Sequence, residues 1–178
     1  MLYPDKNDPF ELTTMKEKLE NIGFIVLPNQ KNKINPAVLD RYQKIPEDYL
    51  NFISGIEICV TKDNKAWFNT MNSFNSAIGN EFQWNEFELM SLESYADETD
   101  EDKKKIIEFW DRHIPILLSC RNFYCCFAIS LLSAGYGQIV YGSEPEFEET
   151  EWVADDFSSF MTQLTGKTLN KKYVDQII

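Results

Sequence analysis

Residues 122–143 read Asn-Phe-Tyr-Cys-Cys-Phe-Ala-Ile-Ser-Leu-Leu-Ser-Ala-Gly-Tyr-Gly-Gln-Ile-Val-Tyr-Gly-Ser, 22 positions without Asp, Glu, Lys, Arg or His. A run of that length could cross a bilayer as a helix. Its composition argues otherwise, because Asn122, Ser130, Ser133 and Gln138 interrupt it and Gly135-Tyr136-Gly137 places a turn inside it. The stretch therefore reads as two buried strands, Tyr124–Leu131 and Gly137–Tyr141, joined by a loop. Ile116–Ser119 upstream and Glu151–Ala154 downstream continue the pattern, which predicts neighbouring strands of one antiparallel sheet.

Working outward, the remaining sequence supplies helices and one further hairpin. Thr13 or Thr14 caps a helix through about Asn21, with Met15, Leu19 and Ile22 as its apolar stripe and Gly23 as its stop. Phe24–Leu27 reads as a short strand, followed by a polar connector containing Pro28 and Pro36. Pro46 opens a helix that buries Tyr49, Leu50 and Ile53 and ends at Gly55. Glu57–Thr61 and Ala66–Thr70 flank Lys62-Asp63-Asn64-Lys65, a turn suited to a hairpin. Residues 74–95 show no clean helical period and read as mixed structure. Thr99 or Asp100 caps a helix through Arg112, with Ile106, Ile107 and Trp110 inward and Pro115 closing it. Asp155 or Asp156 caps a helix over Phe157–Leu164, and Asn170–Ile178 forms a short terminal helix. Helices scattered around consecutive hairpin-linked strands predict an α+β fold, a central antiparallel sheet with flanking helices, in a single domain over residues 1–178.

The 178 residues carry 29 acids against 17 Lys plus Arg, a net charge of −12. A chain of this size buries enough surface to fold without disulfide or metal staples. Its acidity disfavours direct nucleic-acid binding, which draws on cationic contacts to phosphate, and favours basic partners. Met1–Glu11 has neither a basic start nor an apolar core, so nothing directs export, and a soluble cytoplasmic protein with no membrane contact is expected.

Residues that carry chemistry are sparse. Cys59, Cys120, Cys125 and Cys126 lack the spacing of a zinc or thioredoxin-type site and read as reduced core thiols. His113 is the one histidine, so a multi-histidine metal centre is excluded. Its place between a helix end and Pro115 suits a structural or capping role better than a catalytic base. Gly135, Gly137 and Gly142 match neither a dinucleotide fingerprint nor a phosphate loop. Carboxylates are abundant enough for a hydrolase-like acid and base pair, yet nothing marks two of them as desolvated beside each other. No catalytic residue, metal or cofactor is predicted.

The informative feature is the distribution of charge. Glu81–Asp111 holds 11 acids and three lysines, net −8, and Glu144–Asp156 holds seven acids and no base, net −7. The remaining 134 residues are net +3. Such segregation suits either acidic loops that face water or a field that attracts and orients a basic protein. On the second reading the contact residues are Glu144, Glu146, Phe147, Glu148, Glu149 and Glu151 in one segment and Trp84, Glu86 and Glu88 in the other. Trp152 and Phe87 are further apolar groups interspersed with those acids, whereas Trp110 and Phe157 read as core. Trp84 and Phe147 suit either a contact anchor or the core.

Ile45-Pro46-Glu47-Asp48-Tyr49-Leu50-Asn51-Phe52-Ile53 resembles the early L-P-x-D-Y-x-x-F helix of the SUKH superfamily, and Phe82-Gln83-Trp84-Asn85-Glu86-Phe87 followed by Leu92 resembles its middle segment. His113-Ile114-Pro115-Ile116, Phe127-Ala128-Ile129, Gly137–Tyr141 and Val153–Phe160 follow the superfamily's order of strand, hairpin and closing helix. Departures fall in loops: Ser54-Gly55-Ile56 stands where an Asn-Gly or Gly-Gly pair is frequent, and the Arg121-Asn122 turn lacks glycines. The branch resembled includes a yeast regulator of cell-wall synthesis and many bacterial immunity proteins. The resemblance implies an α+β domain that performs no chemistry and neutralises a basic toxin, commonly a nuclease, by binding it. A regulatory or scaffolding role and a carboxylate-based hydrolase remain the alternatives.

Overall fold

A computed structural model describes residues 9–29, 33–75, 82–96 and 99–178. Most of the N-terminal stretch and the acids Glu81, Asp97 and Glu98 lie outside the described residues. The chain forms an α+β fold built on one seven-stranded antiparallel meander in which every strand neighbours the next in sequence. The strands are β1 (Phe24–Pro28), β2 (Ile56–Thr61), β3 (Ala66–Phe68), β4 (His113–Ser119), β5 (Cys125–Ser130), β6 (Ile139–Ser143) and β7 (Glu146–Ala154). Around them lie α1 (Pro9–Asn21), α2 (Pro36–Arg41), α3 (Glu47–Gly55), α4 (Met71–Asn75), α5 (Glu86–Ser94), α6 (Asp100–Trp110), α7 (Phe157–Thr165) and α8 (Lys171–Ile177).

Local chemistry sets these boundaries. Asn35 caps α2 by accepting from the Ala37 amide, and Pro36 opens it. The polar connector expected before Pro46 therefore holds a short helix. Thr99 and Asp156 cap α6 and α7 through their side chains, as the capping signals predict. Asn64 takes a positive φ of 58° in the β2–β3 hairpin. Gly137 has a φ of 88°, so it belongs to the turn, and β6 starts at Ile139 rather than at Gly137. Among the described residues, no helix is long and apolar enough to cross a membrane.

Alternation along the strands divides the interior into two cores. Leu117, Cys125 and Phe127 join the larger cluster, which α3, α7 and α8 complete through Phe52, Ile53, Phe160, Leu164 and Tyr173. Their neighbours Leu118 and Cys126 join a second cluster with Phe87 of α5, Ile106 and Trp110 of α6, and Phe147 of β7. Adjacent cysteines thus face opposite cores, because successive strand residues point to opposite sides of a sheet. All four cysteines are free, with Cys59, Cys125 and Cys126 buried and Cys120 half-buried.

The early motif of the sequence fixes the larger core. Asp48 accepts from its own Tyr49 amide and from the Ser158 amide at the start of α7. Tyr49, fully buried, donates its hydroxyl to Asn69 O at 2.7 Å, and the Asn69 amide bridges Trp84 O and Pro115 O at 2.9 and 2.8 Å. The Tyr49 hydroxyl and the Asn69 side-chain N–H groups thus find partners, while Asn69 Oδ1 is left without one among the described residues. His113 is likewise structural: its Nδ1–H donates to Phe109 O at 2.9 Å and its ring stacks on Phe109 at 4.0 Å.

Candidate interaction surface

The acidic segment after Ser143 is a strand, not the loop expected from its composition. Between the pairs Ser143↔Glu146 and Tyr141↔Glu151, β6 advances two residues while β7 advances five, so residues 147–150 arch away from regular pairing. Gly142 permits the arch. A Cβ there would lie 2.0 Å from Phe147 O, a clash with backbone that no rotamer can relieve. The arch turns Phe147 inward, 2% exposed, to stack on Phe87 with centroids 4.7 Å apart and rings 5° from parallel. Glu148 follows it inward and accepts from the Trp110 indole N–H at 2.7 Å.

The predicted contact residues consequently divide. Glu144, Glu146 and Glu149 are exposed and make no ion pair among the described residues. Glu144 also accepts from the Tyr124 amide at 2.9 Å, which orients the β6–β7 hairpin. Glu151 is exposed but bound to Lys172 of α8, whose hydrogen bond holds the carboxyl below its ordinary pKa. Phe147 serves the interior, a correction to its assignment as a contact residue, while Glu148 is half-buried and engaged by Trp110. The exposed aromatic of this segment is Trp152, 56% accessible. Its exposure follows from strand alternation, since Val153 enters the larger core and Trp152 faces the other way.

The Trp84, Glu86 and Glu88 group is a structural junction. Glu88 is 5% exposed and receives both guanidinium nitrogens of Arg41 at 2.7 Å, a correction to its assignment as a surface charge. Arg41 Nε reaches Asp111 at 2.9 Å, and its guanidinium lies 5.7 Å from the Trp84 ring centroid. Trp84 is half-buried between Tyr42 and Phe74. Glu86, the first residue of α5, accepts from the Gln83 amide at 3.1 Å in the turn that leads into the helix. Elsewhere in the same segment Lys105 pairs with Asp102 and Lys104 with Glu108. Four described acids of 81–111, Glu88, Asp102, Glu108 and Asp111, are thus ion-paired within the molecule, whereas Glu144, Glu146 and Glu149 of the β6–β7 hairpin are not. The structure brings the two segments together where Phe87 meets Phe147 and where the Trp110 indole donates to Glu148.

A family model described as the SMI1 / KNR4 family (SUKH-1) matches residues 40–163. The chain belongs to this family. The SUKH-1 match begins beside Arg41, takes in the Asp48 and Tyr49 motif, and ends within α7, so it spans strands β2 to β7. Asp48, Tyr49, Trp84 and His113, which carried the resemblance, make hydrogen bonds that join separate elements of the fold. Membership accords with an immunity or regulator-like role, and SUKH-1 proteins are typically non-catalytic. No curated protein matches the chain. Among the described residues, no cluster of His, Cys, Asp or Glu has the composition of a metal site.

Proposed function

We propose that the protein is an immunity protein, which binds a cognate basic toxin of the nuclease type in the bacterial cytoplasm and neutralises it without performing chemistry. The observation that supports this most is the exposed, unpaired set Glu144, Glu146 and Glu149 on a rigid hairpin of a SUKH-1 chain with net charge −12. An enzyme that grips phosphates presents cations, and an acidic inhibitor imitates the polyanion and speeds encounter by steering. The hairpin is held from beneath by Phe147 on Phe87 and by Glu148 on Trp110, so the three carboxylates stand on a preorganised support.

The buried carboxylate Glu88 does not favour hydrolase chemistry, because its two oxygens are occupied by Arg41. The experiment is co-expression with the C-terminal toxin domain of a large secreted protein encoded beside this chain. Survival that depends on this chain supports immunity. Cell death despite expression of folded protein, together with binding to several host proteins, favours the regulatory role open to the same family.

A further inference from the structure

Cross-strand pairing places one row of side chains across the sheet: Ile25↔Val60, Val60↔Trp67, Trp67↔Leu118, Leu118↔Cys126 and Cys126↔Gly142. Directly paired residues share a face. From Leu118 onward the row is roofed by α5 and α6 through Phe87, Ile106 and Trp110. Trp67 is the last residue packed against that roof, and beyond it neither Val60 nor Ile25 belongs to either core. In the next row Leu27 pairs with Ile58, and these also belong to neither core. Ile25 is 43% and Leu27 48% exposed. Among the described residues, the β1–β3 half of this face carries an apolar surface without a cover.

The open face continues toward the acidic hairpin. The exposed Phe82 meets the Trp67 ring edge-on at 5.4 Å and lies 6.0 Å from Tyr124, whose amide is bonded to Glu144. A second copy is a poor occupant, because two chains of net charge −12 repel. Lys62 and Lys65 of the β2–β3 turn are the nearby cations, while Asp63 and Arg121 beside them neutralise each other.

We infer that the open half of the sheet, centred on Ile25, Val60, Trp67 and Phe82, is the apolar part of the docking surface for a basic protein whose cations meet Glu144 and Glu146. This rests on the immunity reading for the partner's identity, and it moves the energetic centre of the contact from the hairpin to the sheet. Contacts of this kind derive most of their affinity from a few desolvated aromatic and aliphatic anchors, with charge setting approach and orientation.

The test uses the full chain, labelled with nitrogen-15, and a short peptide of alternating lysine and leucine. The peptide is expected to shift the Trp67 indole resonance and the amides of Ile25 and Val60, while an aspartate–leucine peptide leaves them unmoved. The double variant Ile25→Lys/Leu27→Lys changes exposed positions and should keep its melting temperature while weakening the peptide about tenfold or more. Trp152→Ala should bind as the parent does. Shifts confined to Trp152 and residues 149–151, equal binding of the aspartate peptide, or Trp67 shifts that depend on protein concentration without peptide would each overturn the assignment. Co-expression separates the two readings: a double variant that protects as well as the parent removes this face while immunity stands. A parent that fails to protect removes immunity and leaves the peptide experiment to decide the face.

Discussion

Arg41 on α2 donates two parallel hydrogen bonds of 2.7 Å to the carboxylate of Glu88 on α5. With its third contact to Asp111, Arg41 joins α2, α5 and the end of α6, so one cation fixes the helices that roof the second core. Removing one partner of such a pair strands a buried charge, which costs more than the pair contributes. Arg41→Ala is expected to lower unfolding free energy by about 3 kcal/mol in urea titration. Arg41→Lys recovers only part of that, because a point charge cannot reproduce the planar fork.

Gly142 and Phe147 make a second sensitive contact. Gly142→Ala places a methyl group against the Phe147 carbonyl and must push β7 away from β6. The expected loss is about 2 kcal/mol or more by thermal or denaturant unfolding. The displaced arch also separates Phe147 from Phe87 and Glu148 from Trp110, so the variant should weaken toxin protection although no contact residue has changed.

His113 gives the protein an acid-sensitive element above the carboxylate range. Burial lowers its pKa below the ordinary value of 6.5. The unfolded chain then takes up a proton that the folded chain resists. The contribution is intact above about pH 6.5 and is lost as pH falls through the lowered folded value. As the one histidine, it can be isolated by His113→Leu, which should flatten the change in urea midpoint between about pH 7 and pH 5.5. An unchanged slope in that variant would refute the assignment.

The thiols offer a check on the two-core arrangement. Burial pushes the Cys125 thiol up to about 12, and Cys59 and Cys126 are raised by burial as well. Only the thiolate reacts readily. Ellman's reagent should therefore label Cys120 alone at an appreciable rate in the native protein and all four cysteines after denaturation. Rapid native labelling of Cys125 and Cys126 would contradict their burial on opposite faces.

The strands β4 to β6 and the caps of α6 and α7 were legible because apolar runs and single capping residues act locally. The α5 region was opaque for a physical reason. Its buried side includes Glu88 and Ser91, which hide the helical period, and the charge of Glu88 is satisfied by Arg41, a residue far away in sequence. The length of β7 was hidden in the same way, since Glu146, Glu148 and Glu149 suggest a loop while Gly142 and Phe87 hold that segment as a strand. For the contact surface, composition located the charge but not its partners. Nothing in the residue types distinguishes Glu149, which is exposed, from Glu88, which is locked inside.

Steering of a basic toxin by the carboxylates of the β6–β7 hairpin is the step on which the proposed function depends. Its most direct measurement is the association rate of the purified toxin domain with the parent and with Glu146→Lys/Glu149→Lys, followed by stopped-flow at low and high salt. Association is expected to slow about tenfold or more at low salt, with a gap that narrows at high salt as screening removes the steering and with little change in dissociation. Equal association rates for the two proteins at low salt would contradict it.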